Sequence, residues 1–404
     1  MRWLFASLAL LSAMPAHAES RVRSRLSTHR QPTGDAAAVY RFVGTADGTW
    51  DPSFSRLARP TVTGPATTVD RGDGTAATVP ANTLAVGPDG ALIYGARTSR
   101  ILWNQALDNA AWVKRGAAAC VPSPEPDPLG TYTAWRCTVG AVNVDDFYQG
   151  VLGHSASAGL STSAWIHAVS ESGIVSVDPT GSGTGSKSID LSAAAIWTKF
   201  SWSGLASAVG ASGMKFSSGT GAAITFDLWR PWQVEGSDPG PDAEVQSAPL
   251  SVAATAVSAP NALRGSEWCV RIDATPGSHW RSGAVRYLVA IGTSGADRAY
   301  IRVDGNGKLQ FTVIDETTTA RYIFTDAPAD STEHTITACA DGGTLALWVD
   351  GERLSVSSGG TGSGVITSMP TTVAIGSNGT SDHWGGSIRS VTLCNTADPA
   401  RCRQ

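Results

Sequence analysis

The sequence predicts an all-β protein: two β-sandwiches in tandem behind an irregular N-terminal lead-in. Three observations carry this. No segment sustains apolar residues at i, i+3, i+4 and i+7, so helices should be few. Short apolar runs instead alternate with period two and end at Gly, Asp or Asn turns. The composition agrees: 44 glycines, and 16% charged residues against roughly 25% in an average soluble protein. With 404 residues, 42% of them hydrophobic, the chain is long enough for two or three cores.

In chain order, residues 1–18 read as an export signal. Arg2 supplies the positive start, Leu4 to Met14 the short apolar stretch, and Ala16-His17-Ala18 an A-x-A cleavage site. The apolar run is too short to span a bilayer, and no other segment approaches about 20 apolar residues. Residues 19–100 form the lead-in. It opens with Arg21, Arg23, Arg25 and Arg30 spaced by Ser and Thr, which reads as a solvated tail. It continues rich in Thr, Pro and Gly with short apolar runs such as Leu92-Ile93-Tyr94, unable to build a core alone. Residues 101–240 carry aromatic-punctuated strands and should form the first sandwich. A Pro-, Gly-, Ser- and Ala-rich linker is expected over 241–262, the second sandwich over 263–398 and a tail over 399–404.

In the second sandwich Trp268, Val270 and Ile272 share one face of a strand; Ala299, Ile301 and Val303 do so in another, and Leu309, Phe311 and Val313 in a third. Asp304-Gly-Asn-Gly307 turns between the last two. Asp341-Gly342-Gly343 and Asp350-Gly351 then bracket a strand in which Leu345, Leu347 and Val349 alternate with Ala346, Trp348 and Asp350. The 6 cysteines of an exported chain read first as disulfides. Cys120 and Cys137 stand apart and would close a loop in the first sandwich; Cys394 and Cys402 would clip the tail. Cys269 and Cys339 then remain, each on an expected strand. Zinc is disfavoured because there is no C-x-x-C pair and the histidines are scattered.

The stretch from Glu333 to Leu354 resembles the mid-domain hairpin of laminin-G-like and concanavalin-type jelly-roll sandwiches. Thr371–Thr380 and Gly385–Leu393 resemble the closing signature of the same family. The resemblance implies a jelly roll that binds glycans or other extracellular ligands and only sometimes does chemistry. In pentraxins, which share this sandwich, a disulfide joins the strands corresponding to those of Cys269 and Cys339, which implies that pairing here. The first sandwich resembles the carbohydrate-binding-module-like β-sandwiches of phage tail and spike proteins. Ala96 to Lys114 is similar to their opening motif, with Asp108-Asn109-Ala110-Ala111-Trp112 fitting closely and Ser99-Arg100 departing from it. Asp146–Val151, Ser163–Ala168, Ile196–Trp202 and Trp232–Glu235 resemble later strands in the same order.

Sugar recognition needs flat apolar faces for C–H surfaces, flanked by amide, carboxylate and guanidinium groups for the hydroxyls. Of the 14 tryptophans, Trp165, Trp197, Trp202 and Trp348 fall inside strand patterns and are expected to pack. Ligand candidates lie in expected loops: His279, Trp280 and Arg281 beside Pro276-Gly277, and Asn378, His383 and Trp384 in a Gly- and Ser-rich loop. Tyr148 and Gln149 are candidates on a strand of the first sandwich. Calcium is common in both families, and the resemblance allows a structural ion, with Asp227 and Glu235 as weak ligands. Asp304, Asn306, Asp341 and Asp350 are already explained by turn chemistry.

Catalysis finds little support. No E-x-D-x-E strand appears, Asp315 and Glu316 are adjacent and would face opposite ways, and no G-x-S-x-G elbow occurs. Arg71-Gly72-Asp73 spells an adhesion tripeptide but sits in an ordinary turn context. The net charge of −4 gives no argument for nucleic acid. The expected function is therefore a secreted (or periplasmic), non-catalytic, lectin-like protein that binds cell-surface or extracellular polysaccharide. The alternative is a structural or protein-docking module of an extracellular assembly or adhesin; a polysaccharide hydrolase or lyase comes third.

Overall fold

The computed structural model describes residues 36–42, 44, 60–142, 144–150, 159–170, 172–178, 186–206, 213–235, 242–277, 285–293, 295–330, 332–379 and 382–402. The expected signal sequence and arginine-rich tail lie outside them. Among the described residues the protein is built of antiparallel strands with one 3-10 turn, Leu191–Ala194, and no α-helix. Two sandwiches are present, each with its own apolar interior.

The C-terminal sandwich packs two eight-stranded sheets. One runs Glu352–Arg353, Thr344–Val349, His334–Asp341, Glu267–Pro276 and Gly386–Cys394. The far side of Gly386–Cys394 is lined end to end by Ala36–Arg41 and Gly90–Ile93, the latter paired with Val86–Gly87. The other sheet runs Thr61–Thr63, Ala256–Pro260, Thr372–Ile375, Arg286–Ile291, Arg298–Val303, Lys308–Ile314, Ala320–Asp326 and Ser357–Gly360. The period-two residues meet between the sheets: Trp268, Val270 and Ile272 face Ile301, Phe311 and Val313, with Trp268 and Phe311 edge to face at 5.7 Å.

The expected division of the chain is corrected here. The lead-in is not an irregular appendage: Ala38, Tyr40, Phe42, Leu84, Val86, Ala91 and Ile93 belong to the core of the C-terminal sandwich. Its short apolar runs could not announce this, because their partners lie some 300 residues away in sequence; Ala36 pairs with Cys394. The Tyr40 hydroxyl donates to the Pro260 carbonyl across 2.5 Å, and burial pushes that phenol up to about 12. Gly90 shows how closely the segments approach: its φ is +118°, and a Cβ there would fall 2.5 Å from the Ile388 carbonyl oxygen.

The middle sandwich comprises a seven-stranded and a five-stranded sheet. The first contains Thr198–Ala206, Gly159–Ala168, Ile224–Glu235, Trp135–Val139 and Ala119–Pro122, with Arg97–Ser99 and Leu250–Val252 added beside Ile224–Glu235. The second contains Lys187–Asp190, Ile174–Asp178, Met214–Ser218, Phe147–Gln149 and Val113–Lys114. Trp112, Phe147, Phe216 and Phe226 fill the space between them. The expected linker is corrected too: Leu250–Val252 extends the middle sandwich and Ala256–Pro260 the C-terminal one. Its polar composition hides a buried anchor. Asp242 accepts from Ser163 Oγ at 2.8 Å and Trp165 Nε1 at 2.9 Å, and pairs with Lys199 Nζ at 3.1 Å.

All six cysteines are paired: Cys120–Cys137, Cys269–Cys339 and Cys394–Cys402. The first two bonds join residues directly opposite on neighbouring strands. The hairpin Thr67–Asp70 and Ala76–Val79 lies at the junction of the sandwiches, with Ala76 against Trp165 and Trp229. Arg71-Gly72-Asp73 forms its turn, closed by Asp70 Oδ1 accepting from Gly72 N and Asp73 Oδ1 from Thr75 N.

Candidate functional site

Strand alternation gives the glutamate-edged sheet of the C-terminal sandwich two faces. Leu345, Leu347, Ile336, Ala338, Ala340 and Val270 point into the core. The intervening residues form rows across the opposite face. One row is all cysteine at its centre: Cys394, Cys269 and Cys339 are register neighbours, with Ala346 beyond. The next runs Thr392, Arg271, Thr337, Trp348 and Arg353. The third places Ser390, Asp273 and Thr335 together, beside Asp350.

These rows floor a groove of about 710 Å³ lined by Arg271, Thr335, Thr337, Trp348, Asp350 and Gly351, with Pro399 and Ala400 as one wall. The wall stands where it does because Cys394–Cys402 ties the terminal turn to the sheet. Trp348 is half-buried and rests its indole on the cluster of four cysteines. Its expected packing role is thus corrected: it packs on the outer face against sulfur, not in the apolar interior. The alternation of Leu345, Leu347 and Val349 with Ala346 and Trp348 was the available signal, since residues out of phase with the leucines must face away from the core.

The polar groups around the indole are held firmly. Asp273 accepts from Thr335 Oγ1 and Ser390 Oγ, both at 2.7 Å. Asp350 accepts from Thr335 N at 2.9 Å and meets His334 Nδ1 at 2.6 Å, while His334 Nε2 lies 3.0 Å from Asp330. Burial opposes protonation of His334, yet the hydrogen bonds to Asp350 and Asp330 outweigh it and raise its pKa. Thr332 and then His334 hold the Asp330 carboxyl down at about 2. The Arg353 guanidinium lies 5.7 Å from the centre of the Trp348 ring, a cation–π arrangement.

A second concavity, about 480 Å³, lies between the sandwiches and is lined among others by Thr68, Asp70, Lys199, Ser201, Thr275 and Ser387. Two of its charges are engaged structurally: Lys199 with Asp242, and Asp70 with the turn amide of Gly72. Burial raises the Asp70 pKa. It reads as the seam of the molecule.

The residues expected from sequence fall elsewhere. His279, Trp280 and Arg281 lie outside the described residues. Trp384 is fully buried in the C-terminal core and donates Nε1 to the Thr275 and Ser387 carbonyls, each at 3.2 Å; a ligand cannot reach it. Loop context misled because the indole folds inward under Gly385-Gly386. His383 is half-buried near Gly95, and burial lowers its pKa. Asn378 donates to Asp382 at 3.1 Å within its own loop. Tyr148 is half-buried beneath the Arg115 guanidinium, 5.1 Å from its ring centre.

Gln149 points the other way along that strand and is buried. Its amide clamps the backbone of Leu102, accepting from N at 2.7 Å and donating to O at 2.8 Å, so it is structural. Asp227 is spent on Arg136, at 2.9 and 3.1 Å, and on His167 at 3.3 Å. Glu235 lies 3.8 Å from Arg100. Neither belongs to a group of three or more potential metal ligands; none exists among the described residues.

Residues 252–399 match the family described as the concanavalin A-like lectin/glucanases superfamily. The groove lies within this matched region except for Ala400, one residue beyond it. The NanB sialidase from Streptococcus pneumoniae is similar at 16% identity over 35% of this chain and 25% of that one, with a TM-score of 0.29; this chain thus spans about a quarter of the sialidase. The Ruminococcus gnavus IT-sialidase CBM40, solved bound to alpha2,6 sialyllactose, is 15% identical over 34% of this chain and 81% of that one, TM-score 0.28. Domains LG4-5 of the mouse laminin alpha1 chain are 13% identical over 69% and 93%, TM-score 0.26. No curated protein matches the chain. No helix among the described residues is long and apolar enough to cross a membrane.

Proposed function

We propose that the protein is a secreted, non-catalytic glycan-binding protein and that the Trp348 groove holds the sugar. The observation that carries this reading is the half-buried indole on an outer sheet face, ringed by guanidinium, hydroxyl and carboxylate groups. An aromatic floor with fixed polar neighbours is what a pyranose needs, apolar C–H faces below and hydroxyls at the sides. The match of residues 252–399 to a lectin and glucanase superfamily supports it, and the three disulfides fit an oxidising compartment. The non-catalytic part rests on Asp273 and Asp350. Both carboxylates beside the groove are committed to hydrogen bonds, so no pair is left to flank a glycosidic bond. In this reading the middle sandwich is a companion module of the phage tail and spike type.

Affinity electrophoresis against a panel of polysaccharides tests the proposal. The wild type should be retarded by at least one polymer, and Trp348→Ala should weaken that binding at least tenfold, about 1.4 kcal/mol, with an unchanged melting profile. Binding that survives Trp348→Ala intact would move the function away from this groove.

A further inference from the structure

The hydrogen-bonding inventory of the groove is lopsided. Its acceptors are used and its strongest donors are not. Both oxygens of Asp273 accept from hydroxyls at 2.7 Å, and both oxygens of Asp350 are taken by Thr335 N and His334. The Arg271 guanidinium, by contrast, makes no hydrogen bond among the described residues; it only comes within 3.9 Å of Asp273, and its buried Nε is unsatisfied. Thr392, its fully buried register neighbour, also has a hydroxyl without a hydrogen-bond partner among the described residues. Arg353 stacks on Trp348 and makes no hydrogen bond among them either.

The row order places these groups usefully. Arg271 lies two strands from Trp348, roughly 9–10 Å, and Arg353 one strand away on the other side. The indole is therefore an apolar floor between two guanidinium groups with unspent donors. Arg271 is partly exposed, its side chain 30% accessible, with only Nε buried and unsatisfied, so its open guanidinium edge can receive a carboxylate through two parallel N–H···O bonds.

We propose that the groove takes an acidic glycan, a polymer containing uronic acid, with one sugar ring on Trp348 and its carboxylate received by Arg271. This deepens the glycan-binding reading of the same groove and rests on it. Arg353 is exposed and serves the neighbouring acidic sugar, leaving the indole face as the chain settles.

Isothermal titration with polygalacturonate and with the same polymer after carboxyl reduction tests the idea on the full chain. The wild type should bind the acidic polymer at least tenfold more tightly. Arg271→Gln should weaken binding of the acidic polymer at least tenfold and of the reduced polymer far less, so that the preference is lost, and Arg271→Lys should restore part of it. If Arg271→Gln does not fold, Arg353→Gln, on the exposed edge strand, should cut the preference severalfold. Equal binding of the two polymers, both lost in Trp348→Ala, would overturn the acidic-sugar proposal and leave glycan binding standing. No binding of either, nor of any polymer in the panel above, would overturn both. Polyglutamate binding as tightly as polygalacturonate would overturn the sugar assignment and mark a generic anion surface.

Discussion

The two sandwiches both enclose apolar interiors but differ in how the chain reaches them. The middle one is nearly contiguous, from Arg97 to Val252, and buries charge: Asp227 under Arg136 and His167, Asp146 under Arg115, and Asp242 under Ser163, Trp165 and Lys199. The C-terminal one also buries charge, at Asp273, Arg286 and Asp315, but is stitched from segments at both ends of the described chain. The Asp227 anchor of the middle sandwich is cross-strand: it is the register partner of both Arg136 and His167. A core closed by distant segments relies on non-directional apolar burial, with register set by strand alternation.

Deleting residues 36–93 should break that contrast most severely. The edge of Gly386–Cys394 and the inner faces of Trp268 and Ile388 would lose Ala38, Tyr40, Phe42 and Ile93. The expected outcome is loss of the C-terminal unfolding transition in calorimetry, with the middle sandwich still melting cooperatively. A C-terminal sandwich that folds unaided would show that the distant strands merely decorate it.

A smaller effect is expected from Asp242→Asn, which removes the buried charge that meets Lys199, Ser163 and Trp165. Breaking such a pair costs about 3–5 kcal/mol, and calorimetry should show the drop in the middle transition alone. An equal shift of both transitions would mean that the sandwiches unfold as one unit through their shared seam.

The smallest effect concerns His334, at the rim of the groove. Its folded pKa is raised, so its stabilising contribution is complete below the ordinary histidine value of about 6.5 and is lost as pH rises through the folded value. The stability gap between wild type and His334→Gln should be about 1 kcal/mol or less, widest at acid pH and shrinking toward pH 8. A gap that grows with pH would reverse the assignment.

The all-β class, the turns and the faces of individual strands were legible in the sequence because they depend on neighbours two to four residues apart. Asp304 behaves as its turn context demands, with Oδ1 accepting from Asn306 N and Lys308 N, each at 2.9 Å. The strands supplied by 36–42 and 84–93 were not legible, since no local pattern names a partner beyond residue 385. The site was half legible. Trp348 was visible out of phase with the leucines, but its exposure depends on what covers that face, and the cysteine row beneath it emerges only from three-strand register. Trp384 misled for the converse reason: a loop position says nothing about which way a side chain turns.

The Gly386–Cys394 strand comes last among the strands described and sits inside its sheet, between the Glu267–Pro276 strand and two segments made before the middle sandwich. A chain emerging in order must therefore carry the edges of Ala36–Arg41 and Gly90–Ile93 that meet Gly386–Cys394 open while the whole middle sandwich is synthesised. Such long-range pairing is slow to form. Those open edges would be a liability for a nascent chain until the final strand arrives to close them.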